Sequence, residues 1–172
     1  MTSTIFTIGF TKKTAEQFFG LLREARVQRL IDIREKRDGQ LAGFAKYPDL
    51  AFFLDRLLGI AYDYQPLFAP SPEIRTAYRK TRNWEQYEKS FLELMEQRKV
   101  LERADPNAFE GRVVLLCSEN EPDQCHRRLV AEMLGTHWTD QGHRVEVTHL
   151  ATPKPLPRRK RKHKAGVGTD SL

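Results

Sequence analysis

The chain has 172 residues, 40% hydrophobic and 30% charged, which fits one domain with enough apolar mass for a core. It has no run of about 18 apolar residues, so no membrane-spanning helix is expected, and two cysteines make no disulfide framework. The formal charge of +6 is unevenly placed: residues 153–172 hold 7 of the 29 Lys and Arg and one of the 23 acids, Asp170, which leaves 22 of each sign in the rest.

The start, MTSTIFTIGF, has neither a charged n-region nor a long apolar h-region, so no secretory leader is expected and the reduced cytoplasm is the expected setting. Residues 4–8 read as a first strand closed by Gly9. Thr14 reads as an N-cap, with Gln17 completing a capping box for a helix to about Ala25. Phe18, Leu21, Leu22 and Ala25 share one face of it. Residues 29–34 (RLIDIR) read as a second buried strand ending in charge.

Residues 35–47 are polar and contain glycine, and read as a long loop over the strand ends. A second helix is expected over 48–58, with Pro48 near its first position, Leu50, Phe53, Leu54 and Leu57 as its apolar stripe, and Gly59 ending it. Residues 60–64 give a third strand, and 65–72 a turn punctuated by prolines. Helices follow over about 72–80 and 83–103, the second with Tyr87, Phe91, Leu94 and Met95 on one side, before Asp105-Pro106-Asn107 breaks it. Val113–Leu116 read as a buried fourth strand, and Leu129, Val130, Met133 and Leu134 mark a last long helix. Residues 144–149 are a fifth strand.

Strands alternating with long helical crossovers imply an α/β fold. The expectation is a single three-layer domain over residues 1–152, with a mostly parallel five-stranded sheet and helices on both faces. Right-handed crossovers make it Rossmann-like or flavodoxin-like. Ligands then bind beyond the C-terminal strand ends, where Gly9, Thr11, Asp32, Arg34, Gln65 and Cys117 to Glu119 should converge.

The connection after the fourth strand carries the densest chemistry. Cys125-His126-Arg127 stands at an expected helix start, where unpaired N–H groups and the helix dipole suit anions and lower thiol pKa values. One reading makes Cys125 a nucleophile or anion ligand, with Ser118, His126 and Arg127 holding the substrate. The other makes them a buried cysteine, a surface histidine and a salt-bridged arginine. Cys117, ending a strand, reads as buried and inert. Cys117, Cys125 and His126 also suit a soft metal or, for the cysteines, a redox disulfide, but no closed four-ligand spacing is present and no metal is assigned.

Asp32 reads as a general base or ribose ligand and Arg34 as a phosphate ligand, or the two as an ion pair ordering the long loop. Glu119 is a second carboxylate for proton transfer, or a loop residue. Phe44 in the loop is able to stack on a base, with core packing as the open alternative. No GxGxxG and no GxxxxGK[ST] is present, so no dinucleotide or P-loop cofactor is expected.

The matched stretches are Thr7-Ile8-Gly9, Leu30-Ile31-Asp32-Ile33-Arg34, Leu41-Ala42-Gly43-Phe44, Gly59-Ile60 with Tyr62, Pro66-Leu67 with Ala69-Pro70, and Trp84 with Tyr87. The most specific is Leu116-Cys117-Ser118-Glu119, then Pro122, then Cys125-His126-Arg127. In these the chain resembles the domain of unknown function 488 family over about residues 4–150. Many members carry a histidine after the first-turn glycine, where this chain has Phe10. The resemblance implies a fold and a site rather than a reaction.

Residues 153–172 are expected to be a disordered basic tail. Arg158, Arg159, Lys160, Arg161, Lys162 and Lys164 would contact nucleic acid, act as a nuclear-type basic signal, or only solubilise the chain. The functional expectation is an enzyme-like domain acting on or binding a nucleotide, nucleoside or nucleic-acid base. A non-catalytic anion or nucleic-acid binding module is the alternative, and a thiol redox or metal-binding protein the second alternative.

Overall fold

The computed structural model describes residues 2–39 and 42–152. The basic tail lies outside them. Five strands form one sheet: β1 (Thr2–Gly9), β2 (Arg29–Asp32), β3 (Ala61–Tyr64), β4 (Gly111–Cys117) and β5 (Arg144–His149). Every pairing is parallel, and the order is β3-β2-β4-β1-β5. This is neither the 3-2-1-4-5 nor the 2-1-3-4-5 order of the two expected templates. Here β4 is inserted between β1 and β2.

Among the described residues there are six α-helices: α1 (Ala15–Glu24), α2 (Asp49–Phe53), α3 (Pro72–Thr81), α4 (Trp84–Gln97), α5 (Val100–Arg103) and α6 (His126–Asp140). The crossovers β1→β2 and β2→β3 step towards the β3 edge, whereas β3→β4 and β4→β5 step towards the β5 edge. Right-handed crossovers of opposite direction place their helices on opposite faces. The two cores agree. Phe18, Phe19 and Leu22 of α1 and Leu50 of α2 pack on Phe6, Ile8, Leu30, Val114 and Leu116. Phe91 and Met95 of α4 and Leu129, Val130 and Leu134 of α6 pack on Ile5, Ile31, Val113 and Leu115. Alternate residues of β4 thus serve opposite faces, as a strand buried on both sides requires.

Local signals explain most element ends. Thr14 caps α1 with the expected reciprocal bonds to Gln17, at 3.2 and 3.0 Å. Asn83 caps α4. Gly59 takes φ 64°, the left-handed conformation that ends a helix. The helix expected over 83–103 is interrupted by Lys99 at φ 52°, which separates α4 from α5.

The second expected helix differs. Pro48 precedes α2 as its cap, and Leu54–Leu58 form a π-helical turn after it. A π turn carries more residues per revolution than an α turn, so the 3.6-residue stripe loses phase there. Leu54 is fully buried, but Leu57, expected on the same stripe, is 58% exposed. We therefore expect Leu54→Ala to destabilise the domain by about 2–5 kcal/mol and Leu57→Ala to change it by about 0.5 kcal/mol or less, read from urea midpoints.

Candidate functional site

Register brings the expected residues to one level. Gly9 lies beside Cys117, and Asp32 and Ile8 flank Leu116. The chain leaves β1 and β2 for the α1 and α2 face, but leaves β4 for α6 on the other. The crevice of a doubly wound sheet opens at such a reversal, and Cys117 ends the strand at its centre.

The connection over residues 118–124 is held mainly by its carbonyl oxygens. The Arg127 guanidinium donates to Glu119 O at 2.6 Å and Asn120 O at 3.0 Å. Thr11 donates to Ser118 O from both its backbone N–H, at 3.1 Å, and its hydroxyl, at 2.7 Å. Lys13 Nζ donates to Asn120 Oδ1. The loop is drawn so close to β1 that a Cβ on Gly9 would stand 1.6 Å from Glu119 O. Gly9, Thr11, Ser118 and Arg127, expected to touch a ligand, thus hold one another. Gly9→Ala should destabilise the fold by about 3 kcal/mol or displace the loop, which denaturation and the amide spectrum of residues 118–121 would show.

Under this loop two thiols meet an imidazole. Cys117, Cys125 and His126 are 5%, 2% and 7% exposed, and their ligand atoms all lie within 4.8 Å of one another. Cys117 Sγ is 3.5 Å from His126 Nδ1. His126 Nε2 is 3.2 Å from Ile33 O. A carbonyl only accepts, so Nε2 carries the proton and, in the neutral ring, Nδ1 offers its lone pair to Cys117.

The expected thiolate changes place. Burial pushes the Cys125 thiol well above its ordinary value, and the neighbouring Cys117 pushes it further. Cys117 is lowered by a hydrogen bond from the Cys125 thiol, against burial, with help from Arg127 and from the Ser118 and Glu119 N–H groups. Burial outweighs the helix terminus at Cys125, while several donors outweigh it at Cys117. As pH rises, iodoacetamide should modify Cys117 ahead of Cys125 on the folded chain. Peptide mass spectrometry reads the order, and Cys125 first would contradict the assignment.

Asp32 and Arg34 form a buried ion pair. Arg34 meets the Asp32 carboxylate with two donors, at 2.8 and 2.6 Å, and donates to Ala45 O at 2.9 Å. Asp32 also accepts from Tyr62 O–H at 2.8 Å and is fully buried. The pair therefore ties the loop after β2 to the sheet. Phe10 is buried beneath it, with the Arg34 guanidinium 5.3 Å from its ring centre. Asp32→Ala should cost about 3–5 kcal/mol by leaving Arg34 buried and unpaired, measured by chemical denaturation.

Two other expected residues stand apart. Glu119 is exposed. Phe44 packs on Phe18 and Phe19, with ring centres 5.4 and 6.0 Å away, so it closes the core over α1. Sequence reading missed Arg37 and Tyr47. The Arg37 guanidinium sits over the Tyr47 and Tyr64 rings, 4.1 and 3.9 Å from their centres. Their one sequence signal was membership of the polar loop over the strand ends. With Glu35, Lys36 and Asp38 they line a cavity of about 400 Å³. A larger groove of about 750 Å³ lies along α1, between Phe19, Phe44, Phe53 and Leu57, away from the cysteines.

Among the described residues, no helix is long and apolar enough to cross a membrane. No curated protein and no solved structure matches the chain. A family model described as Domain of unknown function DUF488 matches residues 14–134, from the cap of α1 into α6, and so takes in the Asp32–Arg34 pair and the Cys117, Cys125 and His126 cluster. The chain belongs to that family.

Proposed function

We propose that the chain binds a nucleotide- or nucleoside-like ligand in the cavity beyond the C-terminal ends of β2 and β3. The observation that carries this reading is Arg37, held between the Tyr47 and Tyr64 rings at the cavity wall. A guanidinium flanked by two rings loses little further freedom on binding and keeps N–H donors at its edge for phosphate. Lys36 adds a second positive charge, Asp38 a carboxylate suited to ribose hydroxyls, and the tyrosines apolar area.

A buried polar network lies behind the cavity wall. Tyr62 donates to Asp32, and Arg34 neutralises Asp32. Burial and the Asp32 charge push the Tyr62 hydroxyl upward, which keeps it protonated as the donor this network needs. Asp32 is thereby committed to support. The geometry favours binding, as in the non-catalytic alternative, over proton transfer by Asp32. The basic tail would add sequence-independent contact with nucleic acid through Arg158, Arg159, Lys160, Arg161, Lys162 and Lys164.

Calorimetric titration of the full chain with adenosine monophosphate, adenosine and inorganic phosphate tests the reading. Binding of the monophosphate should weaken roughly 10- to 100-fold in Arg37→Ala, the loss of a charged hydrogen bond. No binding of any of the three by the unaltered chain, or equal binding by the variant, contradicts it. Ending the chain at Thr152 should make the salt dependence of DNA binding shallower while leaving the monophosphate affinity unchanged.

A further inference from the structure

We propose that Cys117, Cys125 and His126 form a three-donor site for a soft divalent cation of the zinc class. This inference does not depend on the ligand in the β2–β3 cavity. Among the described residues, this is the one group of three His, Cys, Asp or Glu side chains whose ligand atoms come together. They arrive from two elements: Cys117 from the end of β4, and Cys125 and His126 from the start of α6.

The spacing suits the ion. Zinc bonds of about 2.3 Å to sulfur and 2.0–2.1 Å to nitrogen, at tetrahedral angles, put donors roughly 3.6–3.8 Å apart. Cys117 Sγ and His126 Nδ1 are 3.5 Å apart, and all three donors lie within 4.8 Å of each other. A closure of about 1 Å or less therefore completes the set.

The surroundings favour it as well. The Ile33 carbonyl fixes the His126 proton on Nε2 and turns Nδ1 towards the sulfurs, which is how metal-bound histidines are oriented. Cys125 occupies the N-cap of α6 yet makes no capping bond, so its side chain is not explained by helix capping.

Two thiolates balance a divalent charge, so the buried site becomes neutral when filled, and Arg127 stays engaged with Glu119 O and Asn120 O. Each thiol that enters as thiolate releases one proton. Two sulfurs and one imidazole exclude magnesium and calcium, which take oxygen ligands. Three protein donors leave a fourth position for water or a small ligand, the pattern of an open site rather than a closed one.

Titrating cobalt(II) into the reduced full-length chain tests the assignment. We expect saturation at one ion per chain, a thiolate-to-cobalt charge-transfer band, and loss of that band when zinc is added. Cys117→Ser and Cys125→Ser should each lose the band, and zinc should raise the melting temperature of the unaltered chain but not of Cys125→Ser. No band in the unaltered chain, or a full band in Cys125→Ser, overturns the proposal. X-ray absorption of the zinc-loaded unaltered chain needs no folded variant. Two sulfur and one imidazole neighbour support the site, and fewer than two sulfurs overturn it.

Discussion

Arg127 is buried and holds two successive carbonyls of the chain that has just left β4. It forces the turn at Glu119 against β1 and makes Gly9 the only residue type that fits there. It also sets where α6 starts, because the guanidinium belongs to the first turn of the helix it positions. Cys125 and His126, on that same start, are thereby aimed back at Cys117. Without this arginine the loop carbonyls would have no charged partner and the two cysteines no fixed separation.

A second buried charge organises the other half of the sheet end. Asp32 accepts from Arg34 and Tyr62. In a region of low dielectric such a network is stable only when each member has a partner. The carboxylate that sequence reading offered for proton transfer is the anchor of the network. Beside this network Arg37, over the Tyr47 and Tyr64 rings, lines the cavity.

The elements were readable where local chemistry decides them. The reciprocal Thr14–Gln17 cap, the left-handed Gly59 and the apolar run of β4 all appear where their residue types require them. Strand order was not readable, because hydrophobic periodicity reports a strand's environment and not its neighbour. Nothing local in Val113–Leu116 says that these residues lie between β1 and β2. Leu57 misled because a π turn breaks the period that placed it. The two cysteines exchanged acidity because burial at Cys125 depends on residues distant in sequence, whereas the helix start is visible locally. Arg37 and Tyr47 escaped notice because a loop has no period to mark which of its side chains converge.

The insertion of β4 also orders events in time. β1 pairs with β4 and β5 and with no earlier strand. As the chain leaves the ribosome, β2 and β3 can join each other, but β1 must wait for residues 111–117 before its hydrogen bonds have any partner. Its apolar side chains, among them Ile5, Phe6 and Ile8, wait with it. Pairings this remote in sequence are slow to close and leave sticky surface uncovered meanwhile. The same strand that assembles the cysteine cluster is therefore the clasp of the nascent domain, and β1 is among the last of its strands to be sheltered.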